Sequence, residues 1–150
     1  YFPEEKAENT TEQTPENTDA AVDDSSGQGQ HIMVVDDDVP LSILMAEILS
    51  NHDYKVSRFE SGTSALEQFQ KTPDAFDLVL TDQTMPIMTG DEMARSMLAI
   101  KPKLPIVVCT GYSEKLTHQL AQEIGIKKVL KKPVEIPELL DEIASYLPEN

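Results

Sequence analysis

The chain has 150 residues, enough for one domain with a sizeable core, and 39% of them are hydrophobic. A formal net charge of −15 argues against a nucleic-acid surface, which needs Lys and Arg to neutralise phosphates. No run of about 18 apolar residues exists to span a membrane, and the lone Cys109, inside an apolar run, excludes an intramolecular disulfide and reads as a buried thiol in a reducing compartment.

The first residue is Tyr rather than Met, with no charged-then-apolar leader, so the chain reads as a piece of a longer protein. Residues 4–29 hold eight acids and one Lys among Thr, Asn, Gln, Ser and Gly. Such a stretch has too little apolar surface to offset its own ordering entropy, and residues 1–30 are expected to form an acidic, flexible linker. From His31 the pattern changes to alternating strands and helices, the mark of a parallel sheet covered on both faces.

His31 to Val35 is an apolar strand ending in Asp36-Asp37-Asp38. Pro40 suits a first helical turn, where its missing N–H costs nothing, and Leu41, Leu44, Met45, Ile48 and Leu49 continue at helical spacing to about Asn51. Tyr54 to Phe59 is the second strand. Ser61 can cap a helix carrying Leu66 and Phe69, which must stop before Pro73. Phe76 to Asp82 is the third strand, an apolar run delivering a carboxylate to the sheet rim. Thr89-Gly90-Asp91-Glu92 fits a capping box, and the helix it opens carries Met93, Met97 and Leu98 as core filler to about Ile100. Pro105 to Cys109 is the fourth strand, ending in Thr110-Gly111. Ser113 can cap a helix with Leu116, Leu120 and Ile124, which Gly125 ends. Lys128 to Lys131 is the fifth strand, ending in Lys132-Pro133. Pro137 lies in the first turn of a last helix using Leu139, Leu140, Ile143 and Leu147. Five βα units with right-handed crossovers predict an α/β, flavodoxin-like (βα)5 fold, a doubly wound parallel sheet of strand order 2-1-3-4-5.

Open α/β sheets place their chemistry at the carboxyl ends of the strands. Here those ends offer an acid cluster, a further acid, a hydroxyl and a lysine, a set suited to a divalent cation and a phosphoryl group. Singly, each residue has a plainer reading. Asp82 can be a turn former, Thr110 a turn hydroxyl, and Lys132 a surface lysine beside Lys127, Lys128 and Lys131. His31, His52 and His118 have no metal spacing and read as structural or exposed.

With the acid pair after the first strand, Asp82-Gln83-Thr84-Met85-Pro86 after the third, Thr110 after the fourth and Lys132-Pro133 after the fifth, residues 31–148 resemble the receiver domain of two-component response regulators. The resemblance implies that Asp82 is the phosphoacceptor, a carboxylate nucleophile that forms an acyl phosphate. It implies that Asp37 and Asp82 bind Mg2+ directly, Asp36 mainly through water, and that the backbone carbonyl of Thr84 completes the protein ligands. Lys132 would reach the phosphoryl oxygens as a point charge, the peptide bond before Pro133 being cis, and Thr110 would hydrogen-bond the phosphoryl group. Asp38 falls one place past the acid pair and reads as a helix-start residue.

The resemblance also implies a phosphohistidine donor, either a histidine kinase dimerisation domain or a histidine phosphotransfer protein. It implies a domain that catalyses its own phosphorylation and dephosphorylation, signals by protein contact and resides in the cytoplasm. No nucleic acid and no direct membrane contact by this piece are expected, although the parent chain can be membrane-anchored. Tyr1-Phe2-Pro3 resembles the end of a histidine-kinase ATPase domain, which would make this the C-terminal receiver of a hybrid histidine kinase. Three residues depart from the family's habit. Val129 stands where many members carry a switching Tyr or Phe, Tyr112 is bulky beside the acyl phosphate, and Thr84 is less able to orient water than Asn or Gln. Two rival readings are a haloacid-dehalogenase-type magnesium phosphatase, which expects a second acid where Thr84 stands, and a pseudo-receiver that binds partners without phosphorylation.

Overall fold

The computed structural model describes residues 29–111 and 117–147. Ser113, Leu116 and Tyr112 of the sequence reading lie outside them. Five parallel strands, β1 (His31–Val35), β2 (Lys55–Phe59), β3 (Leu78–Asp82), β4 (Ile106–Thr110) and β5 (Lys128–Lys131), form one sheet in the order β2-β1-β3-β4-β5. This is the predicted order. Five helices cover its two faces: α1 (Val39–Ser50), α2 (Gly62–Lys71), α3 (Gly90–Ile100), α4 (His118–Ile124) and α5 (Ile136–Tyr146).

The side-chain alternation of β1 shows how the two cores are built. Met33 and Val35 join Phe69, Val79, Met93, Met97, Ile106 and Val108 on one face. Ile32 and Val34 join Leu49, Leu78, Leu80, Val107, Leu139 and Ile143 on the other. A strand buried on both faces reads as a continuous apolar run, as β3 and β4 do, and every residue of those two strands is buried. Burying side chains of this size contributes roughly 1.5–3 kcal/mol each. Edge strand β2 carries Lys55 and Arg58 outward and is only half covered.

The helix boundaries follow local chemistry. Asp38 caps α1 by accepting from the Leu41 N–H at 3.2 Å, as expected of a helix-start residue. Ser61 caps α2 in the same manner through Ser64, and α2 ends before Pro73. Gly125 terminates α4 at φ +108, a conformation that favours glycine. Thr117 caps α4, accepting from the Leu120 N–H, and the described helix begins at His118. Helix α1 differs from an ordinary core helix. Its apolar residues run all round it, and only Leu49 among the large ones is buried, while Leu44 and Ile43 remain about half exposed.

Candidate functional site

Parallel pairing aligns the strand ends at one rim. Val35 is in register with Thr81, Asp82 with Cys109, and Thr110 with Lys131, so the residues that follow β1, β3, β4 and β5 emerge side by side. Asp36 and Asp82 are buried there and Asp37 is exposed. One carboxylate oxygen from each of the three lies within 4.8 Å of the others. At an effective dielectric of about 20, two like charges at such spacing repel by roughly 3 kcal/mol, less where one of them is exposed.

Lys132 lies among these acids. Its Nζ is 2.6 Å from Asp82 Oδ1. Its backbone N–H donates to the Thr110 carbonyl at 2.8 Å, extending the β4–β5 ladder one residue and fixing where the side chain departs. The Lys132–Pro133 peptide bond is cis, as expected. Thr110 is buried at the end of β4, and Thr84 is exposed, two residues beyond Asp82.

The electrostatics follow from this crowding. Burial raises the Asp36 pKa above its ordinary value; the Asp38 N–H pulls it back, but Asp82 and Asp37 add to the rise. Burial disfavours the charge of Lys132, yet the hydrogen bond it donates to Asp82 and the charges of Asp82 and Asp36 outweigh it, and the amine is held above its ordinary value. Cys109 is pushed up to about 12 by its burial, against the pull of Lys132.

The donor set fits a hard divalent cation. Carboxylate oxygens are the ligands Mg2+ prefers, and three of them converge at one point on the rim. Thr84 offers a backbone carbonyl at the start of the adjacent loop. Beside the acids a cavity of about 640 Å³ opens, floored by Asp36, Asp82 and Lys132 and walled by Leu41, Leu44 and Met45 of α1 with Val134. The structure thus brings Asp36, Asp37, Asp82 and Lys132 into one cluster, with Thr110 at the neighbouring strand end. His31 sits at the opposite end of β1 and His52 just past the end of α1, away from the acid cluster.

Sequence reasoning missed Gln83. It is buried at the rim, with its side-chain amide bound to Asp91. A polar residue between an acid and a Pro-containing turn resembles ordinary turn chemistry, and nothing in its spacing distinguishes it.

A doubly wound parallel sheet presents an acid cluster and a strand-end lysine together at its carboxyl rim. Residues 32–144 match the response regulator receiver domain family, and the chain belongs to it. It is 34% identical over 118 residues to the response regulator receiver protein CpdR of Brucella abortus, covering 79% of this chain and 97% of that protein. It is 30% identical over 146 residues to the autoinducer 2 sensor kinase/phosphatase LuxQ of Vibrio vulnificus; this covers 97% of the chain but only 17% of LuxQ. The crystal structure of TrrA from Thermotoga maritima in complex with Mg2+–BeF superposes with a TM-score of 0.70 at 27% identity, over 79% of this chain and 99% of that one.

Proposed function

We propose that this domain accepts a phosphoryl group from a phosphohistidine onto Asp82 and passes the signal on by protein contact. The observation that carries the reading is the Lys132 Nζ–Asp82 Oδ1 pair at 2.6 Å beside the Asp36–Asp37–Asp82 oxygen cluster. In the transfer, a carboxylate oxygen of Asp82 forms the new bond to phosphorus, the bond from phosphorus to the donor imidazole nitrogen breaks, and its electron pair stays with the imidazole.

Asp36, Asp37, Asp82 and the Thr84 carbonyl would hold Mg2+, and the Mg2+–BeF complex of the similar TrrA supports a magnesium site in a domain of this kind. When bound, the ion supplies positive charge where a phosphate approaches a carboxylate. Lys132 lies where it can pair with phosphoryl oxygens, and the Thr110 hydroxyl can donate to them from the adjacent strand end. Val129, buried in β5, has no ring to swing outward, so readout by an aromatic flip is unavailable and backbone movement at the rim takes its place. An exposed Thr84, rather than a second acid, disfavours the phosphatase reading.

The match to LuxQ across 97% of the chain, the acidic stretch included, supports placement at the C-terminal end of a hybrid sensor kinase. The donor is then that kinase's own histidine domain or a separate histidine phosphotransfer protein, in the cytoplasm. Among the described residues no helix is long and apolar enough to cross a membrane.

Acetyl phosphate or a phosphorylated histidine donor should label the chain once in the presence of Mg2+. Labelling should be lost in excess chelator and in Asp82→Asn. Intact-mass detection of one phosphate on the folded Asp82→Asn variant would move the acceptor elsewhere, and equal labelling in chelator would remove the metal.

A further inference from the structure

The loop between β3 and α3 leaves the rim at Gln83 and returns at Gly90, and both ends are pinned to the same place. The Gln83 N–H donates to the Cys109 carbonyl at 2.9 Å, and the Gln83 carbonyl accepts from the Gly90 N–H at 2.9 Å. The Gln83 side chain spends both ends of its amide on one residue: Nε2 donates to Asp91 Oδ1 at 2.7 Å, and Oε1 accepts from the Asp91 N–H at 3.0 Å. Thr89 Oγ1 donates to the same Asp91 oxygen at 2.6 Å. Gly90 lets this happen, because a Cβ there would sit 2.5 Å from the Asp82 carbonyl oxygen and 3.1 Å from Gln83 Cα. The start of α3 is therefore packed directly against the peptide of the phosphoacceptor.

We propose that Gln83 and Asp91 are positioning residues for the metal, a clamp that holds the Thr84 carbonyl at the place where Asp36, Asp37 and Asp82 converge. The assignment rests on the magnesium reading given above. Thr84 lies between the clamped Gln83 and Met85, which is buried in the core, so fixing Gln83 narrows the backbone torsions of Thr84 that aim its carbonyl. Without the clamp, Met85 still anchors the loop in the core, but Thr84 loses one of its two fixed neighbours and its carbonyl direction is spread over more conformations. Outer partners that orient a ligand without touching the metal carry much of its affinity.

A capping role alone does not account for the pattern. The helix start is already served by Glu92, which accepts from the Thr89 N–H at 3.0 Å. Asp91 and Gln83 add a second connection that runs to the acid strand instead of along the helix. Asp91 is also kept in its charged, accepting form. Its burial alone would raise its pKa, but the hydrogen bonds from Thr89, Gln83 and its own and the Glu92 N–H groups bring it below the ordinary value.

The test is titration of the chain with MgCl2, followed by amide shifts or calorimetry, beside thermal unfolding without metal. Gln83→Met and Asp91→Ala should each weaken Mg2+ binding about tenfold. The double variant should be no weaker than the worse single, because both remove one clamp. Asp91→Asn, which keeps an oxygen for Gln83 Nε2 and the Thr89 hydroxyl, should stay within about threefold of the parent, by the same outer-partner argument. Asp91 is only half buried, so its variants preserve the test if Gln83→Met does not fold. A lowered melting temperature with unchanged Mg2+ affinity would reduce the clamp to a structural staple and overturn the inference alone. Effects that multiply in the double variant would overturn it too. A parent chain that binds no Mg2+ would overturn the metal reading itself, and the clamp's role with it.

Discussion

The two rims of the sheet are built from the same strands and obey opposite rules. At the amino rim, polar groups meet partners of opposite character. The His31 N–H donates to Asp77 Oδ2 at 2.8 Å and the Asp77 N–H returns a bond to the His31 carbonyl at 2.7 Å. The His31 ring joins the Ala75 carbonyl at 2.9 Å and Ser57 Oγ at 2.7 Å and lies 4.6 Å from the Phe76 ring. Lys101 Nζ closes the same corner on the Phe76 carbonyl at 3.0 Å. At the carboxyl rim, three carboxylates crowd within 4.8 Å beside one lysine. One end is arranged for stability. The other carries like-charge repulsion that a purely structural corner would avoid, the mark of a functional site and the basis of the cation and phosphoryl site proposed above.

That contrast predicts opposite responses to loss of a polar side chain. Asp36→Asn removes a charge that burial, Asp82 and Asp37 all disfavour. Its amide oxygen can still accept from the Asp38 N–H, as Asp36 Oδ1 does at 2.9 Å. The variant should unfold about 4 °C higher than the parent in the absence of metal, on the order of 1 kcal/mol, while taking up phosphate poorly. His31→Ala strands Ser57 and the Ala75 carbonyl and strips a ring from Phe76, so it should unfold lower by roughly 1–3 kcal/mol, with phosphate uptake intact. Thermal unfolding in chelator, beside labelling by acetyl phosphate, reads both. Shifts of the same sign would break the comparison between the rims.

Much of this was legible in the residues. Apolar runs of strand length separated by helical spacing gave the element order, and strand ends rich in Asp, Thr and Lys marked the rim, because a parallel sheet delivers all its strand ends to one edge. Period-2 alternation cannot say which face of β1 meets which helices, so the two cores were not separable beforehand. The apolar positions of α1 were visible, but the half exposure of Leu44 among them was not, since periodicity records character rather than coverage. Gln83 was hidden for a different reason. Its partner Asp91 lies eight residues on, across a loop whose path depends on Gly90 fitting against Asp82. A contact of that kind leaves no mark in composition or spacing.

A weaker effect sharpens the same contrast through pH. Burial lowers the His31 pKa in the folded chain, with Lys55 adding to the fall and the Ala75 carbonyl and Asp77 opposing it. The unfolded chain therefore binds the proton more readily than the folded one. The contribution of His31 is fully present above the unfolded value near 6.5 and is lost as pH falls from there toward the lowered folded value. Melting temperature should drop between pH 7.5 and pH 5.5, and part of that drop should vanish in His31→Gln, which can still hydrogen-bond but does not titrate. An identical drop in the variant would remove His31 as its source, and the raised Asp36 cannot supply it, since its protonation in the folded chain favours folding as pH falls.

The smallest expected signal is an absence of reaction, and it tests how dry the carboxyl rim is. Cys109 sits in register with Asp82 and within the electrostatic reach of Lys132. An exposed thiol beside a lysine would be activated, since a neighbouring cation favours the thiolate, which is the reactive form. Here burial overrides the cation and holds the thiol at about 12. At pH 7.5 a group with that pKa is ionised to only about three parts in 10⁵, and the residue as a whole is buried. Iodoacetamide should modify the folded chain at least about a thousandfold more slowly than it modifies the same chain in denaturant, with the residual rate following transient opening. Modification within minutes in the folded state would mean that water reaches the inner wall of the rim. The desolvation that raises Asp36 would then be absent as well, and the stabilisation expected of Asp36→Asn would fail with it.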